Sequence, residues 1–314
     1  MNLSAILELH GLTKNFGNLV AVNDLSLTLE PGDCFGFIGP NGAGKTTTIR
    51  IIATLLEPTA GTVIVDGADV RNDADHIRAV VGYMPDFFGV YDDVTVYEYL
   101  DFFAAAYRIP FDRRPRIIED VLELADLGSK RDTFVDTLSR GMKQRLCLAK
   151  TLVHDPKLLL LDEPASGLDP RARVEIKELL HELTEMGKTV FVSSHILPEL
   201  ADICNKIGVI EQGRLLVSGD VQEIMRQVVG GTTLRIRTAD GQCDALIDFL
   251  QSVPGVAGAR FEEGAVLVHC QGEQVDQAGL LRQLVERGFP IIAFHETEAD
   301  LEDVFMRVTR GIVS

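Results

Sequence analysis

The stretch Gly39-Pro40-Asn41-Gly42-Ala43-Gly44-Lys45-Thr46-Thr47 constrains this chain more than any other. Gly39, Gly44, Lys45 and Thr46 stand at the spacing of a phosphate-binding loop. The flanks agree. Cys34 to Ile38 is a short apolar run that reads as a buried strand, and Thr46 to Leu56 reads as a helix with Ile49, Ile52 and Leu56 on one side. Glycines let the backbone curl so that successive N–H groups point at phosphate oxygens, and the helix N-terminus adds its positive end. In such a loop Lys45 reaches the β- and γ-phosphates and the Thr46 hydroxyl holds Mg²⁺. The chain is expected to bind a nucleoside triphosphate.

Charge narrows the partners. The 47 acidic against 30 basic residues give a net charge of −17, which argues against nucleic acid as a partner. The 314 residues suit two domains, and 46% apolar residues supply a core for them. Cys34, Cys147, Cys204, Cys243 and Cys270 form no Cys-x-x-Cys pair and are expected to be reduced core thiols of a cytosolic protein. Met1 to Glu8 has no basic start and no sustained apolar core, so no secretory signal is expected. No stretch approaches 18 uninterrupted apolar residues, so no membrane span is expected in this chain.

Taken in order, Ile6 to Leu9, Leu19 to Val22 and Leu25 to Leu29 read as short strands. Between the first two, Lys14-Asn15-Phe16-Gly17 sets an aromatic beside a glycine in a loop; Phe16 is either buried filler or a ring that stacks on a nucleotide base. Gly61 to Asp66 is a further strand, and another, Ala79 to Tyr83, leads into Met84-Pro85-Asp86. From Thr95 the spacing turns helical. Thr95 with Glu98 forms a capping box, and Val96, Leu100, Phe103 and Tyr107 recur at helical intervals. A second helix starts near Pro115, and a third at Leu138-Ser139-Arg140-Gly141. A helical insertion at about 87–155 therefore interrupts an α/β frame.

That frame resumes with Leu158 to Leu161, four leucines suited to a strand buried on both faces, followed by Asp162 and Glu163. Carboxylates at such a strand end sit where α/β sheets place ligands. Arg171 to Met186 is expected to be a helix, Thr189 to Val192 a strand leading to Ser193-Ser194-His195, and Ile207 to Val217 a hairpin. The pattern resets at Gly230-Gly231. From Thr233 to Phe294 the order is β-α-β-β-α-β, the ferredoxin-like pattern, with a last helix over Ala299 to Val308. The fold class is thus an α/β phosphate-loop NTPase with a helical insertion, plus a small α+β domain; the boundaries are 5–225 and 231–314.

Hydrolysing a triphosphate needs a cradle, a metal site and a polarised water. Lys45 and the loop amides give the first, Thr46 with Asp162 suits the second, and Glu163 can serve the water. His195 is either a structural histidine or a γ-phosphate contact.

The ordered set of phosphate loop, Leu138-Ser139-Arg140-Gly141-Met142-Lys143-Gln144-Arg145, Asp162-Glu163, Ser166-Gly167-Leu168-Asp169 and His195 resembles the nucleotide-binding subunit of ATP-binding-cassette (ABC) transporters over roughly residues 5–220. The tail, ending Leu301-Glu302-Asp303-Val304-Phe305, is similar to that of drug- and antibiotic-export ATPases of the ABC-2 type. The resemblance implies a head-to-tail dimer, homomeric or with a related ATPase, sandwiching two ATP molecules. Each phosphate loop would face Ser139, Arg140, Gly141 and Met142 of the other subunit. It also implies that Glu163 is the catalytic base, Asp162 the Mg²⁺ residue, His195 the γ-phosphate switch, Phe16 the adenine stack and Asp169 a residue of the loop linking the two sites. Two positions depart from the family pattern. Arg140 and Met142 stand where Gly and Gln are usual, and Asp86 stands where a metal-touching, partner-sensing Gln is common. The expected partner is a membrane permease on a separate chain, docked near Asp86 through the Phe87 to Tyr107 segment, with Phe87, Phe88 and Tyr91 suited to the contact. That places the chain peripherally on the cytoplasmic face of the membrane. The competing expectations are a soluble ABC-type ATPase acting on DNA or the ribosome, which usually carries long coiled coils or two cassettes, and a phosphate-loop kinase, which leaves the Leu138–Arg145 signature unused.

Overall fold

The computed structural model describes residues 5–86, 89, 93–196, 200, 203–224, 233–239, 243–262, 264–270 and 276–297. The chain divides into two units, Met1–Val221 and Gln222–Ser314.

The first unit opens with a long hairpin, β1 (Leu7–Phe16) and β2 (Leu19–Leu29). The three short strands expected here are two long ones. The alternation breaks where Gly11 (φ 59) and Asp24 (φ 54) turn left-handed, which shifts the register without ending the pairing. Hydroxyls stand in for ladder bonds at the break: Gly11 N–H donates to Ser26 Oγ at 2.9 Å and Asp24 N–H to Thr13 Oγ1 at 3.1 Å. Phe16 therefore ends β1, next to the Gly17 turn.

After β3 (Cys34–Ile38) comes α1 (Lys45–Ile52), shorter than expected. Thr54 turns left-handed (φ 61) and the Leu55 N–H closes on the Arg50 carbonyl at 2.8 Å, ending the helix before Leu56. Strands β4 (Ala60–Val65) and β5 (Ala68–Asp69) complete an antiparallel sheet of order β2-β1-β4-β5. A helix missed in the sequence follows, α2 (Ala74–Val80), then β6 (Val81–Met84). Only Ile77 of α2 is buried, so no helical period was visible there.

Three helices then appear: α3 (Val96–Ala106), α4 (Arg114–Leu124) and α5 (Arg140–Leu152). The capping box of α3 is present, with Thr95 Oγ1 accepting from Glu98 N–H and Glu98 accepting from Thr95 N–H. Phe87, Phe88 and Tyr91 lie outside the described residues.

Further along, among the described residues, come β7 (Leu158–Asp162), α6 (Pro170–Glu185), β8 (Thr189–Ser194), β9 (Lys206–Glu211) and β10 (Arg214–Asp220). The main sheet has order β10-β9-β3-β8-β7-β6, parallel except for β10. Strands β3, β7 and β8 are buried at every residue, as strands covered on both faces must be. Gln212 (φ 47) and Gly213 (φ 79) make the two-residue turn that adds β10. The C-terminal ends of the neighbouring strands β3, β8 and β7 lie side by side at one end of this sheet, and the phosphate loop and the acids are carried there.

The second unit has strands β11 (Thr233–Thr238), β12 (Val256–Glu262), β13 (Ala265–Cys270) and β14 (Ile291–Thr297), with helices Cys243–Gln251 and Gln277–Glu286 between them. The order β12-β13-β11-β14, antiparallel throughout, is the ferredoxin-like arrangement. Leu234, Ile236, Leu246, Leu250, Val266, Val268, Leu280 and Leu284 fill its core. Gly230-Gly231, the expected helix over Ala299 to Val308 and its Leu301–Phe305 stretch lie outside the described residues.

Candidate active site

Two glycines shape the phosphate loop by close approach. A Cβ on Gly39 would come within 2.3 Å of the Ile210 carbonyl oxygen, and one on Gly44 (φ +111) within 2.5 Å of that of Ala21. The loop thus nests against β9 and β2. Lys45, 5% exposed, donates from Nζ to the Gly39 carbonyl at 2.6 Å and to that of Pro40 at 3.2 Å. Its Nζ also lies 3.2 Å from Glu163 Oε1.

The end of β7 brings the two acids in. Thr46 Oγ1 donates to Asp162 Oδ1 at 3.2 Å, and Ser193 Oγ donates to the same oxygen at 2.8 Å. Ser193 also accepts from Glu163 N–H at 3.1 Å, so one hydroxyl on β8 fixes both acids. In the sequence Ser193 carries no sign of this role beyond its place two residues before His195. Glu163 is left-handed (φ 53), which turns its side chain away from that of Asp162 and towards Lys45 and His195. His195 Nδ1 lies 2.5 Å from Glu163 Oε2.

Burial pushes the Asp162 carboxyl above the usual carboxylate range, reinforced by the charges of Asp86 and Glu163 and opposed by hydrogen bonds from Ser193 and Thr46. Its Oδ2 is buried without a partner. A buried, partnerless carboxylate oxygen beside a threonine hydroxyl fits a cation. Among the described residues no three of His, Cys, Asp and Glu cluster as a metal cage. A cation here would need further oxygens from phosphate and water, which is the habit of Mg²⁺.

The sign of the pH effect follows from that carboxyl. A folded-state value above the unfolded one means the folded chain binds the proton more tightly. Stability from this group is therefore present below the unfolded carboxylate value and lost as pH rises through the folded one, leaving a penalty at neutrality. Asp162→Asn keeps an acceptor oxygen and removes the charge. We expect the metal-free variant to melt at a higher temperature than the parent at pH 7, because the buried charge is gone, while losing the Mg²⁺-dependent gain in ATP-bound melting temperature that the parent shows. Thermal melts with and without Mg²⁺ check both.

These groups open on a cavity of about 390 Å³. Asn41, Gly42, Gly44 and Thr47 of the loop line it, opposite Asp86, Glu163 and His195. Phe16, 48% exposed, stands at its mouth with Lys14 Nζ 5.1 Å from its ring centre, so it is not core filler. Ala43 and Asp162 are buried beneath the lining, and Pro40 is an exposed residue of the loop whose carbonyl accepts from Lys45. The other predicted residues gather elsewhere. Ser139, Arg140, Gly141, Met142 and Asp169 line a second concavity of about 550 Å³. Ser139 caps α5, its Oγ accepting from Met142 N–H at 3.3 Å, and Asp169 caps α6 by accepting from Arg171 and Ala172 N–H. Gln144, also unassigned in the sequence, is 4% exposed and donates to the Pro164 carbonyl at 2.7 Å.

A phosphate loop at the end of β3, paired acids at the end of β7 and a serine-capped helix define an ABC ATPase, and the comparisons agree. Residues 22–166 match the family described as ABC transporter, and residues 219–309 match "ATP-binding protein DrrA1-3-like, C-terminal domain". The chain is 35% identical over 312 residues to the Nod factor export ATP-binding protein I of Burkholderia orbicola (strain AU 1054), covering 97% of each. It is 35% identical over 303 residues to the protein of that name from Rhizobium johnstonii, covering 96% of this chain and 94% of the other. Among solved structures, an ATP-binding subunit of an ABC transporter superposes with a TM-score of 0.64 at 29% identity, over 71% of this chain and 92% of that one. The dimeric post-hydrolysis structure of the ATP-binding cassette MJ0796 with ADP and Pi superposes with a TM-score of 0.62 at 27% identity, over 68% and 98%. This chain belongs to the ATP-binding subunit family of ABC transporters and is an ATPase.

Proposed function

We propose that this chain drives an exporter by closing head-to-tail with a second copy, or with a related ATPase, around two ATP molecules. The observation that carries the pairing is the separation of the half-sites: the phosphate loop, Asp86, Glu163 and His195 line one concavity, and Ser139 to Met142 line another. A second subunit brings its Ser139 hydroxyl and the N–H groups of its α5 to the γ-phosphate. In the closed site Lys45 and the loop amides hold the β- and γ-phosphates, and Phe16 stacks on adenine. Glu163 accepts the proton of the attacking water and His195 contacts a γ-phosphate oxygen. Asp169 belongs to the loop between the two sites. Thr46, Asp162 and Asp86 would hold Mg²⁺, which would supply positive charge against the phosphates.

Export is supported by the relatives' names, Nod factor export ATP-binding protein I, and by the match of the second unit to the DrrA1-3-like domain. No helix among the described residues is long and apolar enough to cross a membrane. On this reading the force is delivered to a permease on another chain, with this subunit peripheral on the cytoplasmic face. Affinity purification from detergent-solubilised membranes tests this. An integral membrane protein recovered at stoichiometric yield supports the exporter; recovery with ribosomes or DNA instead overturns it.

A further inference from the structure

The segment from Glu163 to Asp169 runs between the two concavities. Glu163 and Ser166 line the nucleotide cavity, while Gly167, Leu168 and Asp169 line the signature cavity. Two side chains of α5 grip this segment from the side. Arg140 Nη2 donates to the Ser166 carbonyl at 3.3 Å, and Gln144 Nε2 donates to that of Pro164. The Arg140 guanidinium rests against Gly167, where an added Cβ would come within 2.3 Å of Nη2, 2.6 Å of Cζ and 2.8 Å of Nη1. Gly167 is needed there twice, for its left-handed backbone (φ +67) and for that contact.

The tether reaches the base within one turn. Ser166 N–H closes on the Glu163 carbonyl at 3.0 Å, and Glu163 holds a left-handed backbone that persists only where its surroundings over-determine it. At the other end, Arg140 is the first residue of α5, directly after Ser139. Gly141 leaves no slack, since a Cβ there would meet Ala172 Cβ of α6 at 2.9 Å. A displacement of the signature is therefore passed on to the segment that carries Glu163. A glycine, usual at the position of Arg140 in the resemblance noted above, makes no such tether.

We infer that Arg140 is a positioning residue that couples the seating of the partner's nucleotide on Ser139 and Gly141 to the placement of Glu163 in its own subunit's cavity. This rests on the head-to-tail pairing proposed above. Arg140 does not line the nucleotide cavity of its own subunit, so own-site affinity and turnover separate.

The experiment measures ATP hydrolysis against ATP concentration for full-length wild type, Arg140→Ala, Arg140→Lys and Gly167→Ala. ADP affinity by calorimetry and melting temperature are read on the same samples. Arg140→Ala is expected to lower kcat about tenfold, equivalent to ~1.4 kcal/mol, and to turn a cooperative ATP dependence hyperbolic. ADP affinity should stay within about twofold, the split that marks loss of a contact used only in the transition state. Arg140→Lys recovers part of the loss, because an ammonium reaches the Ser166 carbonyl but cannot lay a planar fork on Gly167. Gly167→Ala pushes the guanidinium off its seat with its charge intact and should give the same split. Wild-type kcat and cooperativity in Arg140→Ala overturn the inference. So does a fall in ADP affinity or melting temperature that matches the fall in turnover. If Glu163→Gln never dimerises with ATP on size exclusion, the pairing falls and the inference with it, which is a different result from a pairing that stands while a cooperative wild type is matched by its Arg140 variant.

Discussion

Glu163→Gln retains ATP binding, loses hydrolysis by a factor of about 10²–10⁴, the usual range for a lost general base, and accumulates as an ATP-bound dimer. The Glu163 side chain is 11% exposed, wedged between Lys45 Nζ at 3.2 Å and His195 Nδ1 at 2.5 Å. Glutamine fills the same space, so the cavity keeps its shape. What disappears is the carboxylate that takes the water's proton. The phosphate contacts come from the loop amides and Lys45, which the change leaves in place, and removing a negative charge near the γ-phosphate eases binding. Phosphate release measured beside size exclusion in ATP separates the two effects. Hydrolysis at the parent rate removes Glu163 from the role of base.

Much of this site was open to inspection in the sequence because its parts are local. The phosphate loop is contiguous, the four leucines before Asp162 announce a strand buried on both faces, and the Thr95–Glu98 cap is completed within one turn. Other parts depend on contacts across the chain. Ser193 acts because β8 lies beside β7 and puts its hydroxyl between Asp162 and Glu163. Gln144 and Arg140 act because α5 crosses the segment after β7. Arg140 stood out in the sequence only as an unusual residue in a signature, with no indication of what it touched. The opening hairpin was misread for a related reason: two left-handed residues shift its register, which breaks the alternation while side-chain hydroxyls keep the strands paired. Helix α2 buries one residue and so presents no period to detect.

Ser139→Arg, placed in one subunit of a mixed dimer, is expected to silence the site of the other. Ser139 ends the loop before α5, and its hydroxyl caps the helix by accepting from Met142 N–H. Arginine there forfeits about 1 kcal/mol of capping and sets a long cation where the partner's γ-phosphate must approach. Its own phosphate loop, 390 Å³ cavity and Glu163 involve other residues and keep binding ATP. Lys45→Ala supplies the complementary lesion, since it disables only the loop of the subunit that carries it. With the two changes on separate subunits, the Ser139→Arg subunit's loop meets an intact signature, so one of the two sites hydrolyses. With both on one subunit and a wild-type partner, each site holds one defect and both are silent. A subunit complete in itself gives the reverse pattern: separated lesions kill both sites, and paired lesions spare the wild-type one. Phosphate release from the two purified mixed dimers distinguishes the arrangements by which one retains activity.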